Sequence, residues 1–150
     1  IKIPPLYEWR ILFYPQKMGR IIFIGMQAVI GTSGVEAVLR PASLERFIRN
    51  YPPANAECIF SLTTVSLLQS TLEQAYAPRG GRGVALRTGR ACFKCGLKKY
   101  GSMLGLTEMA VRLLSLPTKL RTGTKTFAGL FNKYTDQKVI VEEKDNKILR

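Results

Sequence analysis

Arg87, Arg90, Lys94 and Lys98 follow one another at intervals of three, four and four residues, so a helix would carry all four on one stripe. With Arg79 and Arg82 they belong to a tract between Glu73 and Glu108 that holds no acid. A solvated outer face is the simplest reading of such a stripe. The functional reading is a patch for a phosphate, an acidic head group or an acidic partner. Leu86, Phe93, Leu97 and Tyr100 fall on the adjoining face, and cationic stems flanking an apolar face can also rest on lipid.

Just before this stripe, Arg79-Gly80-Gly81-Arg82-Gly83 breaks the hydrophobic pattern. A backbone nest of N–H groups at a helix N-terminus would attract an anion there; a tight turn between helices explains the glycines equally well. The tract is not a P-loop, because no Gly-Lys-Ser/Thr follows, and not a dinucleotide fingerprint, because a helix rather than a strand precedes it.

Cys92-Phe93-Lys94-Cys95 is a CxxC. Thioredoxin-like chemistry needs that pair at a helix N-terminus after a strand, whereas here it falls mid-helix. Zinc would want four ligands, which Cys58 alone cannot complete. Packing is the expected role of these thiols, with redox sensing as the alternative. The chain has no histidine, which removes Ser-His and Cys-His activation, His-ligated haem and His-bound zinc for the residues present. Its acids are scattered, and no acid–base pair stands out. No catalytic residue and no metal ligand is assigned, and binding is expected rather than catalysis.

These residues need a scaffold. The chain has 150 residues, 46% of them hydrophobic and 22% charged, with a net charge of +13; one globular domain fits. Residues 1–17, Pro-punctuated and aromatic through Tyr7, Trp9, Phe13 and Tyr14, read as an arm packing on the body or on a partner. Residues 18–150 are expected to form the body of the fold, a single ligand-binding domain. A buried helix is expected over 18–30, ending near Gly31. Pro41 should open a helix with Leu44, Phe47 and Ile48 inward. Ser61 should cap another, in which Leu62, Val65, Leu68 or Gln69, Leu72 and Tyr76 recur at helical spacing. Further helices are predicted over 84–100 and 108–116 and from Pro117, the last with Leu120, Phe127, Phe131 and Tyr134 inward. The tract 138–142 is strand-like, and Asp145-Asn146 reads as a hairpin turn. The expected fold class is α+β, a mainly helical domain on a small C-terminal antiparallel sheet. That sheet would be incomplete in this chain, because the hairpin stops in its second strand. The apolar tract 21–30 is too short to span a bilayer and is expected to be a core helix. Three cysteines form no even disulfide framework, which suits a reducing cytoplasm.

Gly25, Gly89, Gly96, Gly123 and Gly129 interrupt apolar-periodic stretches, each at about 1 kcal/mol relative to Ala. Close helix contact is one explanation. Space for an apolar ligand is the other, with Leu68, Leu72, Phe93, Leu97, Met103, Leu113, Phe127, Leu130 and Phe131 as candidate lining residues.

Met18-Gly19-Arg20-Ile21-Ile22, the tract 31–39, Asn50-Tyr51-Pro52-Pro53 and Tyr76-Ala77-Pro78-Arg79-Gly80-Gly81-Arg82-Gly83 carry a family likeness. Together with Asp136-Gln137 leading into Val141-Glu142-Glu143, they resemble hydrocarbon-binding proteins of the 4-vinyl reductase domain superfamily, over residues 13–144. The resemblance implies helices covering a small antiparallel sheet, dimerisation, and kinship with small TRAPP subunits and haem nitric-oxide sensors, which enclose apolar ligands among helices. It also implies a link to vinyl reduction of chlorophyll precursors. Two features depart from the pattern: the chain ends before the family's cysteine-bearing C-terminal segment, and Cys92 and Cys95 are not part of it.

The expected function is binding of a small hydrophobic ligand such as a lipid, an isoprenoid or a tetrapyrrole, in a sensor, carrier or accessory role, with no cofactor beyond that guest. The alternatives are an accessory or enzyme component of bacteriochlorophyll vinyl reduction and a basic scaffold subunit of a larger complex. A homodimer, an acidic protein and an anionic membrane surface touched peripherally are the expected partners, at a cytoplasmic location. Nucleic acid is not expected, for no module that binds it is present.

Overall fold

Pro15 sets where the first strand stops and the first helix starts. The computed structural model describes residues 12–100, 114–136 and 138–141. In it, strand β1 (Phe13–Pro15) leads straight into helix α1 (Gln16–Leu39). No side chain caps α1. Instead its Gln16 N–H donates to the Glu57 carbonyl at 2.9 Å and its Lys17 N–H to that of Asn55 at 3.0 Å, which satisfies two of the donors a helix start leaves open. The same loop feeds β2 (Cys58–Ser61), which runs antiparallel to β1 with Phe13 opposite Ser61 and Tyr14 opposite Phe60. The ladder bulges between Tyr14 and Pro15, where proline has no N–H to contribute.

The fold class is α+β, mainly helical with a small antiparallel sheet. The sheet's place differs from expectation, since β1 and β2 build it. Residues 138–141 form no strand; Val139 there is held by a side chain, its N–H donating to Asn132 Oδ1 at 2.6 Å and its carbonyl accepting from Asn132 Nδ2 at 2.9 Å. The expected turn at Asp145-Asn146 lies outside the described residues, as do Tyr7 and Trp9 of the arm. The arm's last residues belong to the body, where Tyr14 and Pro15 are buried.

Helix α1 does not end at Gly31 but bends there, with φ 71° and ψ 172°, a left-handed conformation that favours glycine. Helix resumes over 32–39. By length and composition α1 could cross a membrane. The break leaves a straight run of about 15 residues, roughly 22 Å, against a hydrocarbon core of roughly 30 Å. Its residues also supply the centre of the fold: Phe23, Val38 and Leu39 are fully buried, with Met26 and Val35 nearly so. Phe23 stacks on Tyr51 at 5.1 Å and meets Phe47 at 5.1 Å and Phe60 at 6.2 Å. A buried ring of this kind is worth about 3–5 kcal/mol against truncation to Ala.

No helix opens at Pro41. The chain makes only a single 3-10 turn, Glu45–Phe47, because Ser43 (φ 55°) and Arg49 (φ 56°) on either side take left-handed conformations that end helix propagation. Leu44 is nonetheless buried, and Phe47 and Ile48 half-buried.

Ser61 caps α2 (Leu62–Ala75), its Oγ accepting from the Thr64 N–H at 3.2 Å. Only Tyr76 separates α2 from α3 (Ala77–Tyr100), so α3 starts about two turns before the expected position 84. Helix α4 (Leu116–Tyr134) carries Pro117 in its first turn, where a missing N–H costs nothing. Phe131 packs edge-on against Tyr14 at 5.8 Å, and Ala128 is buried. Leu120, expected inward, is 42% exposed. The helix expected over 108–116 falls largely on residues outside the described set.

Candidate ligand groove

Two glycines let the three main helices approach closely enough to make a walled groove. A Cβ on Gly25 of α1 would meet the Sγ of Cys92 on α3, and its backbone nitrogen at 2.9 Å. A Cβ on Gly81 of α3 would strike the carbonyl oxygen of Glu73 on α2, and its Cα at 2.6 Å. Gly81 is therefore a packing residue inside a helix. Neither of the two readings of 79–83, a backbone nest or a tight turn between helices, holds, since Gly80, Gly81, Arg82 and Gly83 are all helical. Gly89, Gly123 and Gly129 have open space where a Cβ would stand, and Gly96 faces only Ile21 at 3.8 Å. Of the five glycines that interrupt apolar stretches, then, only Gly25 makes the close helix contact.

Beside these contacts runs a groove of about 730 Å³, open to solvent. Helix α1 lines it with Ile22 and Met26, and α2 with Val65, Leu68 and Leu72, all of which turn apolar surface towards it. Helix α3 closes the far side with Ala85, Leu86, Thr88 and Phe93. The groove is mostly apolar, with charges at its margin: Glu73 and Arg82 at the α2–α3 turn, and Arg90 further along α3. Leu86 is 59% exposed and Phe93 49%, so the α3 wall offers large apolar side chains to whatever enters.

Thr88 is the one polar side chain on the wall whose hydroxyl is buried without a hydrogen-bond partner among the described residues. An orphaned hydroxyl costs about 1–3 kcal/mol. No periodicity marks Thr88 as special, and Ile22, Met26 and Val65 read from sequence as ordinary core. Only their placement around one groove distinguishes them.

Of the expected lining residues, Leu68, Leu72 and Phe93 come together here. Leu97 is half-buried on α3 but does not line the groove. Phe131 packs with Tyr14 instead. Met103 and Leu113 lie outside the described residues, as do the side chains of Phe127 and Leu130. Of the expected cations, Arg82, Arg87, Arg90, Lys94 and Lys98 are all exposed along α3, while the side chain of Arg79 is outside the described set. Lys98 and Lys99 occupy the last turn of α3, where they complement the partial negative charge of the helix end.

The thiols are free. Cys92, half-buried against α1, donates to the Ile22 carbonyl at 3.8 Å. Burial, followed by the neighbouring Cys95, pushes its pKa up to about 11, the reverse of what an activated thiol needs. No group of three or more Cys, Asp or Glu among the described residues is placed to hold a metal.

A second cleft, about 390 Å³, lies at the bend of α1. Arg49 pairs with Glu36 at 3.1 Å, Tyr51 donates to Gln27 Oε1 at 3.1 Å, and Arg20 donates to the Pro52 carbonyl at 3.0 Å. Burial, with Glu36 adding, holds the Tyr51 phenol above its usual range. These polar groups satisfy one another, which makes the cleft a bracing network for the bend. Comparison of the chain with protein-family models, curated proteins and solved structures gives no match.

Proposed function

We propose that the chain binds a small hydrophobic ligand, lipid-like, isoprenoid or tetrapyrrole-like, in the groove between α1, α2 and α3. One observation carries this reading: an apolar groove of about 730 Å³, within the roughly 300–1,000 Å³ of small-molecule sites, with an unpartnered buried hydroxyl on its wall. Resemblance to the 4-vinyl reductase domain superfamily points to the same class of guest. A sensor, carrier or accessory role in the cytoplasm is the setting we propose, with peripheral contact to anionic membrane through α3.

Native mass spectrometry after mild purification tests it. The expected result is a co-purifying apolar molecule, and Leu68→Trp, which fills the groove, should lose that mass while the protein keeps its helical circular dichroism. Absence of any guest, together with failure of Nile red to gain fluorescence on mixing with the protein, would overturn the reading.

A second reading, a basic scaffold subunit, is favoured by the exposure of Arg87, Arg90, Lys94 and Lys98 along one acid-free helix. Charge reversal at these four positions should then weaken assembly with an acidic partner, and unchanged assembly would remove it.

A further inference from the structure

We infer that the groove takes a single-chain anionic amphiphile, its acidic head group at Arg90 and its chain along Ile22, Met26, Leu68 and Leu72. This rests on the groove being the ligand site.

The charges around the groove are not equivalent. At the α2–α3 turn, Arg82 shares its end with Glu73, whose carboxylate is held by Gln69 Nε2 at 3.3 Å. An anion placed there meets a fixed negative charge. Arg90 lines the groove away from that turn and forms no ion pair among the described residues. Arg87 and Lys94 stand three residues before and four after it, both exposed, so the potential about Arg90 is positive on both sides. A guanidinium offers a planar fork of donors that a carboxylate or phosphate fits. From Arg90 the wall continues through Leu86 and Phe93, whose exposed apolar surface an alkyl chain would cover at about 25 cal/mol per Å². Polar head beside apolar trough is the complement of an amphiphile. It does not suit a neutral hydrocarbon, which would leave the cation unused, or a cationic one, which Arg90 would repel. The groove's size favours a molecule with one chain taken up free, rather than a patch of bilayer.

Displacement of Nile red from the full chain by hexadecanoate, hexadecyl phosphate, hexadecan-1-ol and phosphatidylglycerol vesicles tests the assignment. Both anionic monomers should displace the dye at roughly tenfold lower concentration than the alcohol, the range of a charge-assisted hydrogen bond. Arg90→Gln should bring acid and alcohol within about twofold. Arg87→Gln removes the same charge outside the groove and should leave the gap standing. Equal displacement by acid and alcohol in the unaltered protein overturns the head-group assignment while leaving the groove as a ligand site. Displacement by none of the monomers overturns the groove reading itself. Loss of the gap in Arg87→Gln to the same extent as in Arg90→Gln, or binding to the vesicles but to no free anion, also overturns the assignment to Arg90.

Discussion

Gly25 of α1 and Cys92 of α3 stand so close that a Cβ on the glycine would lie 2.9 Å from the cysteine's backbone nitrogen. A backbone atom cannot swing aside as a side chain can. Gly25→Ala is therefore expected to destabilise the fold by about 1–3 kcal/mol, the usual cost of overpacking, read as a lowered denaturant midpoint. Gly129→Ala, in α4 with open space around it, should go the other way by about 0.5–1 kcal/mol, because alanine is the better helix former. Equal signs for the two would mean that α1 and α3 do not touch at Gly25.

Ser61→Ala removes the acceptor for the Thr64 N–H at the start of α2. A loss of about 0.5–2 kcal/mol is expected, with Ser61→Gly milder. Since Ser61 also ends β2, amide exchange should rise at Thr64 before it rises in the strand; the opposite order would place the cap's contribution elsewhere.

The thiol of Cys92 should resist iodoacetamide at pH 8 and react faster as the pH approaches 11, whereas exposed Cys58 reacts first. Its folded-state pKa lies above the ordinary cysteine value of 9.0. The unfolded chain therefore loses that proton earlier, and stability present below pH 9 falls as pH rises from 9 towards 11. Cys92→Ala should flatten that part of the stability–pH curve. An unchanged slope would show that Cys92 is not held neutral by burial.

Asn132 pairs its amide with both backbone groups of Val139, substituting for a neighbouring strand. Asn132→Ala should abolish exchange protection at the Val139 N–H and speed proteolysis around residues 138–141, with little effect on global unfolding. Protection that survives would assign the anchoring to another contact.

Much of this was readable locally. Ser61 announces itself as a cap by residue type and by the helical spacing behind it, and Pro117 marks the start of α4 in the same way. Pairing of Phe13 with Ser61 was not readable, because a three-residue strand ending in proline has too little pattern to declare a partner so far along the chain. The start of α3 departs from the sequence pattern for an energetic reason: three glycines and a proline signal a turn, yet docking of Gly81 on Glu73 outweighs the helix penalty of those glycines, about 1 kcal/mol each. For the groove, Leu68, Leu72 and Phe93 were legible as apolar positions at helical spacing. Thr88 was not, since a threonine becomes notable only when its surroundings leave it without a partner.

The α2–α3 turn also sets an order of cost along the chain. Bringing Gly81 to Glu73 closes a loop of about 8 residues, while bringing Cys92 to Gly25 closes one of about 67. Each doubling of loop length adds about 0.6 kcal/mol of entropy, so the second closure is dearer by roughly 2 kcal/mol when attempted from an unstructured chain. Two walls of the groove can thus be joined from neighbouring sequence alone. The third, α1, has to be brought in from a distance.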